Sequence, residues 1–253
     1  MSTTEQASGP TRKGTVRPLR PARTGGVWAL GLYRSWVGKK YVMAVTGMVL
    51  MLYILLHMIG NLKLYFGPAP LNAYGEFLRT FGEPALPRTV FLWLVRIGLI
   101  VAFVLHIHAA YGLSKANVIA KGGIRRYKSK RDYVAADFAS RTMRWTGVII
   151  GLFVLFHLMD LTWGNANPDF VRGDVYHNLV ESFSRWPVAL VYVVANLALG
   201  LHLYHGAWSL FQSMGWNNRR FNHWRRWFAV AFAVVVTVGN VSFPIAVITG
   251  IVS

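Results

Sequence analysis

Five predominantly apolar stretches of about twenty residues or more punctuate this chain, at roughly 41–64, 89–113, 143–163, 187–212 and 227–251. Each is long enough to cross a hydrocarbon core about 30 Å thick as an α-helix. Lipid offers no partner for backbone N–H and C=O groups, and a helix pairs its own. The pattern therefore predicts an all-α fold, an integral membrane bundle of five transmembrane helices. Composition agrees, with 54% hydrophobic and only 14% charged residues, against about a quarter charged in ordinary soluble domains. The connections, about 64–88, 114–142, 164–186 and 213–226, are too short for an independent domain. Function is thereby confined to the helices and their ends.

Residues 1–40 precede the first span as a basic arm, rich in Gly and Pro and expected to be mobile; residues 41–253 form the transmembrane domain. The first apolar run starts too far in, and lacks the small-residue cleavage site, for a signal peptide. Lys and Arg number 27 against 9 Asp and Glu, a net charge of +18. Cytoplasmic flanks retain positive charge, and with the N-terminus inside 21 of these cations share that side. Only Lys63, Arg79, Arg88, Arg172 and Arg185 fall on the other, while Arg96 lies within the second span. The expected topology is N-terminus cytoplasmic and C-terminus external in the cell membrane. Its basic patches meet lipid headgroups and a docking protein rather than nucleic acid.

The chain has no cysteine, which excludes disulfides, thiolate zinc sites and iron–sulfur clusters ligated by its own sulfur. A metal here needs His or carboxylate. Six of the eight histidines, His57, His106, His108, His157, His202 and His205, lie in the apparent spans. Ionisable residues in a membrane mark function by default, although a single histidine is more often an interhelical hydrogen bond than a ligand. Each of the first four spans carries at least one. His57 and His157 lie late in outward-running helices, and His108 and His202 late in inward-running ones. At 1.5 Å per residue this makes two levels about 10–20 Å apart. Two imidazoles on facing helices at equal depth suit bis-histidine ligation of a b-type haem. Gly112 and Gly206, one turn after His108 and His202, would leave room for a porphyrin or for close helix packing. His106 lies about 200° round its helix from His108, so only one of the two faces a common partner; His205, about 60° from His202, suits an outer contact.

The segment Ser35-Trp-Val-Gly-Lys-Lys-Tyr-Val-Met-Ala-Val-Thr-Gly47, leading to His57-Met-Ile-Gly-Asn-Leu62, resembles the first helix of the cytochrome b membrane anchor of succinate dehydrogenase and fumarate reductase, respiratory complex II, in its five-helix, two-haem form. The likeness continues in His108-Ala-Ala-Tyr-Gly112, Phe156-His157 with Asp160, and His202-Leu-Tyr-His-Gly-Ala-Trp208. It implies two haems b, the outer on His57 and His157 and the inner on His108 and His202, with His106 and His205 as alternative inner ligands or outer contacts. It also implies flavoprotein and iron–sulfur partners on the cytoplasmic face and quinone, menaquinone in particular, as substrate. No succinate-oxidising site is expected in this chain.

Quinone reduction needs protons. Asp160, one turn after His157, is the acidic residue nearest a ligand, and it is read as the proton donor, with helix-end hydration or an arginine pair as the plain alternative. Glu76 and Glu83 in the first external connection, or Ser35 and Trp36 with Lys39 and Lys40 at the cytoplasmic end, are further candidates for the quinone site. Competing functions are a proton-coupled transporter and a b cytochrome serving another quinone-linked dehydrogenase.

Overall fold

The computed structural model describes residues 28–120, 134–216, 218 and 222–253, and among these it is helical with no strand. Its long helices are α2 (Trp36–Asn61), α4 (Val90–Ala120), α5 (Val134–Leu158), α7 (Trp186–Ser213) and α8 (Asn222–Ile248), joined by shorter α1 (Trp28–Arg34), α3 (Pro68–Thr80) and α6 (Val175–Ser184). Five segments are long and apolar enough to cross a membrane: Trp36–Phe66, Val90–Ala116, Thr142–Trp163, Trp186–Ser213 and Asn222–Ile248. The first begins five residues before the apolar run because Ser35 caps it, its Oγ accepting from the Gly38 N–H at 2.9 Å. Residues 28–40 of the expected arm are thus largely helical. Residues 1–27, much of the 114–142 connection and part of 213–226 lie outside the described residues.

Helix α2 packs on α4, α5 on α7, and α7 on α8. Membrane helices gain little from burying apolar surface against one another, so close approach at small residues carries the packing. At Gly200 of α7 an added Cβ would come within 3.3 Å of the Thr237 Cβ on α8, and at Gly239 one would come within 2.9 Å of the Met58 Cγ on α2. Outward faces carry large apolar side chains such as Leu52, Ile100, Leu152 and Val238, more than half exposed and suited to lipid tails.

At the end of the bundle away from the basic connections, Leu64, Leu71, Leu179, Phe183 and Tyr192 form a buried cluster with Phe243 and Val247. Helices α3 and α6 cover it. Asp174 caps α6, accepting from the His177 N–H at 3.0 Å and from the Asn72 amide of α3 at 2.9 Å. Asn72 in turn accepts from the Tyr176 N–H at 3.0 Å. The His177 N–H first, then the Asn72 amide, hold the Asp174 carboxyl below the ordinary carboxylate range. This doubly bonded cap fixes the lid over the deeper side chains.

Candidate functional site

His57 of α2 and His157 of α5 meet inside the bundle, their ring centroids 6.0 Å apart and their planes at 88°. Tyr53, one turn before His57, stacks on it at 5.4 Å. The Tyr192 hydroxyl lies 3.3 Å from the His157 Nδ1 and donates to the Asp160 Oδ2 at 2.8 Å. An ionised carboxylate only accepts, so the phenolic proton belongs to that second bond and the phenolic oxygen accepts from the His157 Nδ1–H. The lone pair of His157 is left on Nε2. Asp160 is fully buried, with Arg185 Nη2 at 2.7 Å from its Oδ1 and Ser182 Oγ donating to its Oδ2.

The second pair follows the same logic by different means. His106 Nδ1 on α4 lies 3.1 Å from the Met43 carbonyl and 3.3 Å from Thr46 Oγ1 on α2, while that hydroxyl donates to the Val42 carbonyl at 2.6 Å. His202 Nδ1 on α7 lies 3.2 Å from Thr146 Oγ1 on α5, which donates to the Thr142 carbonyl at 2.8 Å. In both cases the acceptors require Nδ1 to carry the proton, and Nε2 keeps the lone pair. His202 is within electrostatic reach of His106 and His205. A glycine beside each threonine makes room for the ring: an added Cβ at Gly47 would come within 3.2 Å of His106 Cε1, and one at Gly147 within 3.6 Å of His202 Cε1.

The two arrangements are copies. Thr46-Gly47 precedes His57 as Thr146-Gly147 precedes His157, with the same spacing. Eleven residues from threonine to histidine amount to about 16 Å of helix, so the levels are separated as the depth reasoning expects.

Several expected residues stand elsewhere. His108 does not face His202: its ring stacks on Tyr33 at 5.7 Å, with a hydrogen bond to the Tyr33 hydroxyl. The helix turns His106 inward in its place. Gly112 gives its space to Lys39, whose Nζ would be 3.1 Å from an added Cβ, whereas Gly206 borders open space. His205 has a buried Nδ1 without a hydrogen-bond partner. Asp160 is not at a hydrated helix end: its oxygens are taken by Arg185, Ser182 and Tyr192, the arginine pair being the plain alternative the sequence offered. Ser35 is a helix cap, and Trp36 is exposed with Lys39 Nζ 5.4 Å from its ring centroid. Glu76 pairs with Arg88 at 2.6 Å and Arg79 at 3.4 Å, and Glu83 sits in the turn after α3; neither contacts the histidine pairs among the described residues.

Residues 126–241 match the family model described as succinate dehydrogenase/fumarate reductase transmembrane subunit. The match covers a little under half of the chain. No curated protein and no solved structure matches it. The matched stretch contains His157 and His202; the first two spans, with His57 and His106, lie outside it and carry the first copy of the Thr-Gly repeat. The five long apolar helices are those of a multi-pass membrane protein.

Among the described residues there is no group of three or more His, Cys, Asp or Glu able to hold a metal by themselves. Histidines in twos, with bare Nε2 atoms, fit an iron already held by a macrocycle. Thr46, Thr146, Tyr192, Ser182 and Arg185 escape a reading centred on histidines. The repeated Thr-Gly is a signal for the first two of these; the other three come together only through packing.

Proposed function

We propose that this chain is the membrane-anchor and electron-transfer subunit of a succinate:quinone oxidoreductase, accepting electrons from the iron–sulfur subunit and passing them through haem b to quinone. The observation that carries the reading is the pair of histidine levels on four helices, with Nδ1 engaged as donor in three of the four rings and Nε2 left free. His57 with His157 holds the outer group, and His106 with His202 the inner one. Haem b bound there supplies one-electron carriage.

The protein's own part is positioning. Thr46, the Met43 carbonyl and Thr146 set the tautomer and ring orientation of the inner ligands, and Tyr192, backed by Asp160 and Arg185, does so for His157. Apolar helix faces keep water away. With the N-terminus on the cytoplasmic side, the basic connections meet the soluble flavoprotein and iron–sulfur subunits, and charge attraction makes that encounter salt-sensitive. Menaquinone is the substrate proposed. The hydrogen-bonded Tyr33–His108 pair, beside Trp36 and Lys39 at that end, offers exchangeable protons to its carbonyl oxygens.

The test is a succinate-reduced minus oxidised absorption spectrum of the complex purified through a tag on this chain. The expected result is co-purified flavoprotein and iron–sulfur subunits and a b-type haem signal that succinate elicits. A haem signal without succinate response would assign the chain to another dehydrogenase. Absence of haem would favour a proton-coupled transporter.

A further inference from the structure

A second feature lies where α7 ends and α8 begins. Phe211, Gly215, Trp216, Asn218, Trp224, Arg225 and Phe228 line a cavity of about 580 Å³. Phe211 is about half a turn round α7 from His202, so the cavity opens on the other side of that helix from the inner histidine pair. Arg225 is only 8% exposed, yet its Nε and Nη1 are buried without a hydrogen-bond partner. A guanidinium stays charged in any protein environment, and buried donors of a charged group left without acceptors are costly to a fold.

Its counter-charge has no source nearby in sequence: no Asp or Glu follows Glu181. Arg226 adjoins Arg225 and adds a second positive charge. Trp216 and Trp224, 56% and 64% exposed, flank the opening as aromatic residues do at the headgroup level of a bilayer. Phe211 and Phe228 meet edge to face at 5.6 Å and supply an apolar wall. A guanidinium in the lining of an apolar cavity flanked by interfacial tryptophans matches a phosphodiester with its acyl chains.

We propose that this cavity is a binding site for the phosphate group of an anionic phospholipid, held by the Arg225 guanidinium in its lining.

Native mass spectrometry of the purified complex, stripped of lipid and returned to phosphatidylcholine vesicles with or without phosphatidylglycerol, tests it. The expected result is one retained phosphatidylglycerol per copy of this chain, falling at least tenfold in Arg225→Gln. Arg225→Lys, which keeps the charge and loses the fork, should fall less and serves if the glutamine variant does not accumulate. A parallel arm offers inorganic phosphate without anionic lipid. Equal retention by wild type and both variants would overturn the proposal, as would displacement of the lipid by inorganic phosphate at equal concentration. Loss of the iron–sulfur subunit from Arg225→Gln with lipid retention unchanged would also overturn it, by giving the cavity to a partner's carboxylate.

Discussion

Tyr192 and His157 are joined through a 3.3 Å contact between the phenolic oxygen and Nδ1, and the phenolic proton is committed to Asp160. The bond makes His157 a better electron donor through Nε2. Tyr192→Phe should therefore keep the outer haem and raise its potential, since an oxidised iron loses some stabilisation. One neutral hydrogen bond of about 1 kcal/mol corresponds to about 40 mV for one electron. Redox titration of the two spectral components checks this: the outer should move and the inner should not.

Asp160 acts here as a positioning residue, and its substitution separates that role from proton delivery. Asp160→Asn leaves Arg185, whose side chain is 30% exposed, without its anion. Breaking fully buried pairs costs about 3–5 kcal/mol, and partial exposure lowers this to about 2–3 kcal/mol. Thermal unfolding should register the loss, with quinone reduction falling in step with outer haem content. Slower quinone reduction at full haem content and unchanged stability would return Asp160 to proton transfer.

The spans were legible because lipid imposes a length and a composition that few other folds share. Depth was legible because helical rise is constant. The choice between His106 and His108 was not, since two residues on one helix differ by about 200° in phase and only tertiary packing sets the phase. Thr46-Gly47 and Thr146-Gly147, equally spaced from His57 and His157, mark the inward faces of α2 and α5 and so bear indirectly on that choice. The full surroundings of Asp160 were not legible for another reason. It lies in a π-helical turn, Met159–Trp163, and its partners Ser182, Arg185 and Tyr192 come from α6, the next connection and α7. Nothing local in the sequence reports such a gathering.

The two glycines predict an asymmetry. Alanine at position 47 would press on His106 at 3.2 Å, tighter than most Cβ contacts, whereas alanine at position 147 would meet His202 at an ordinary 3.6 Å. Gly47→Ala should weaken retention of the inner haem several-fold during purification, and Gly147→Ala should leave it near wild type. Haem content per chain after detergent washing measures the difference.

The α6 cap carries a pH signature. The folded-state Asp174 carboxyl titrates below the ordinary range, so its stabilisation is present above the unfolded value of about 3.9 and is lost as pH falls through the folded value. Limited proteolysis of the 164–186 connection should show protection that declines below about pH 4. Asp174→Ala should cost about 1 kcal/mol at neutral pH, a typical N-cap loss, and should flatten the acid dependence.

The central claim is that four histidines form two pairs, His57 with His157 and His106 with His202. Pyridine-haemochrome assay of the purified complex, run on wild type and on His57→Ala, His106→Ala and His108→Ala, tests it directly. The account predicts two haems b per chain in wild type, one in His57→Ala and in His106→Ala with different spectral components missing, and two in His108→Ala. One haem in wild type, or loss of the inner component from His108→Ala while His106→Ala keeps both, would contradict it.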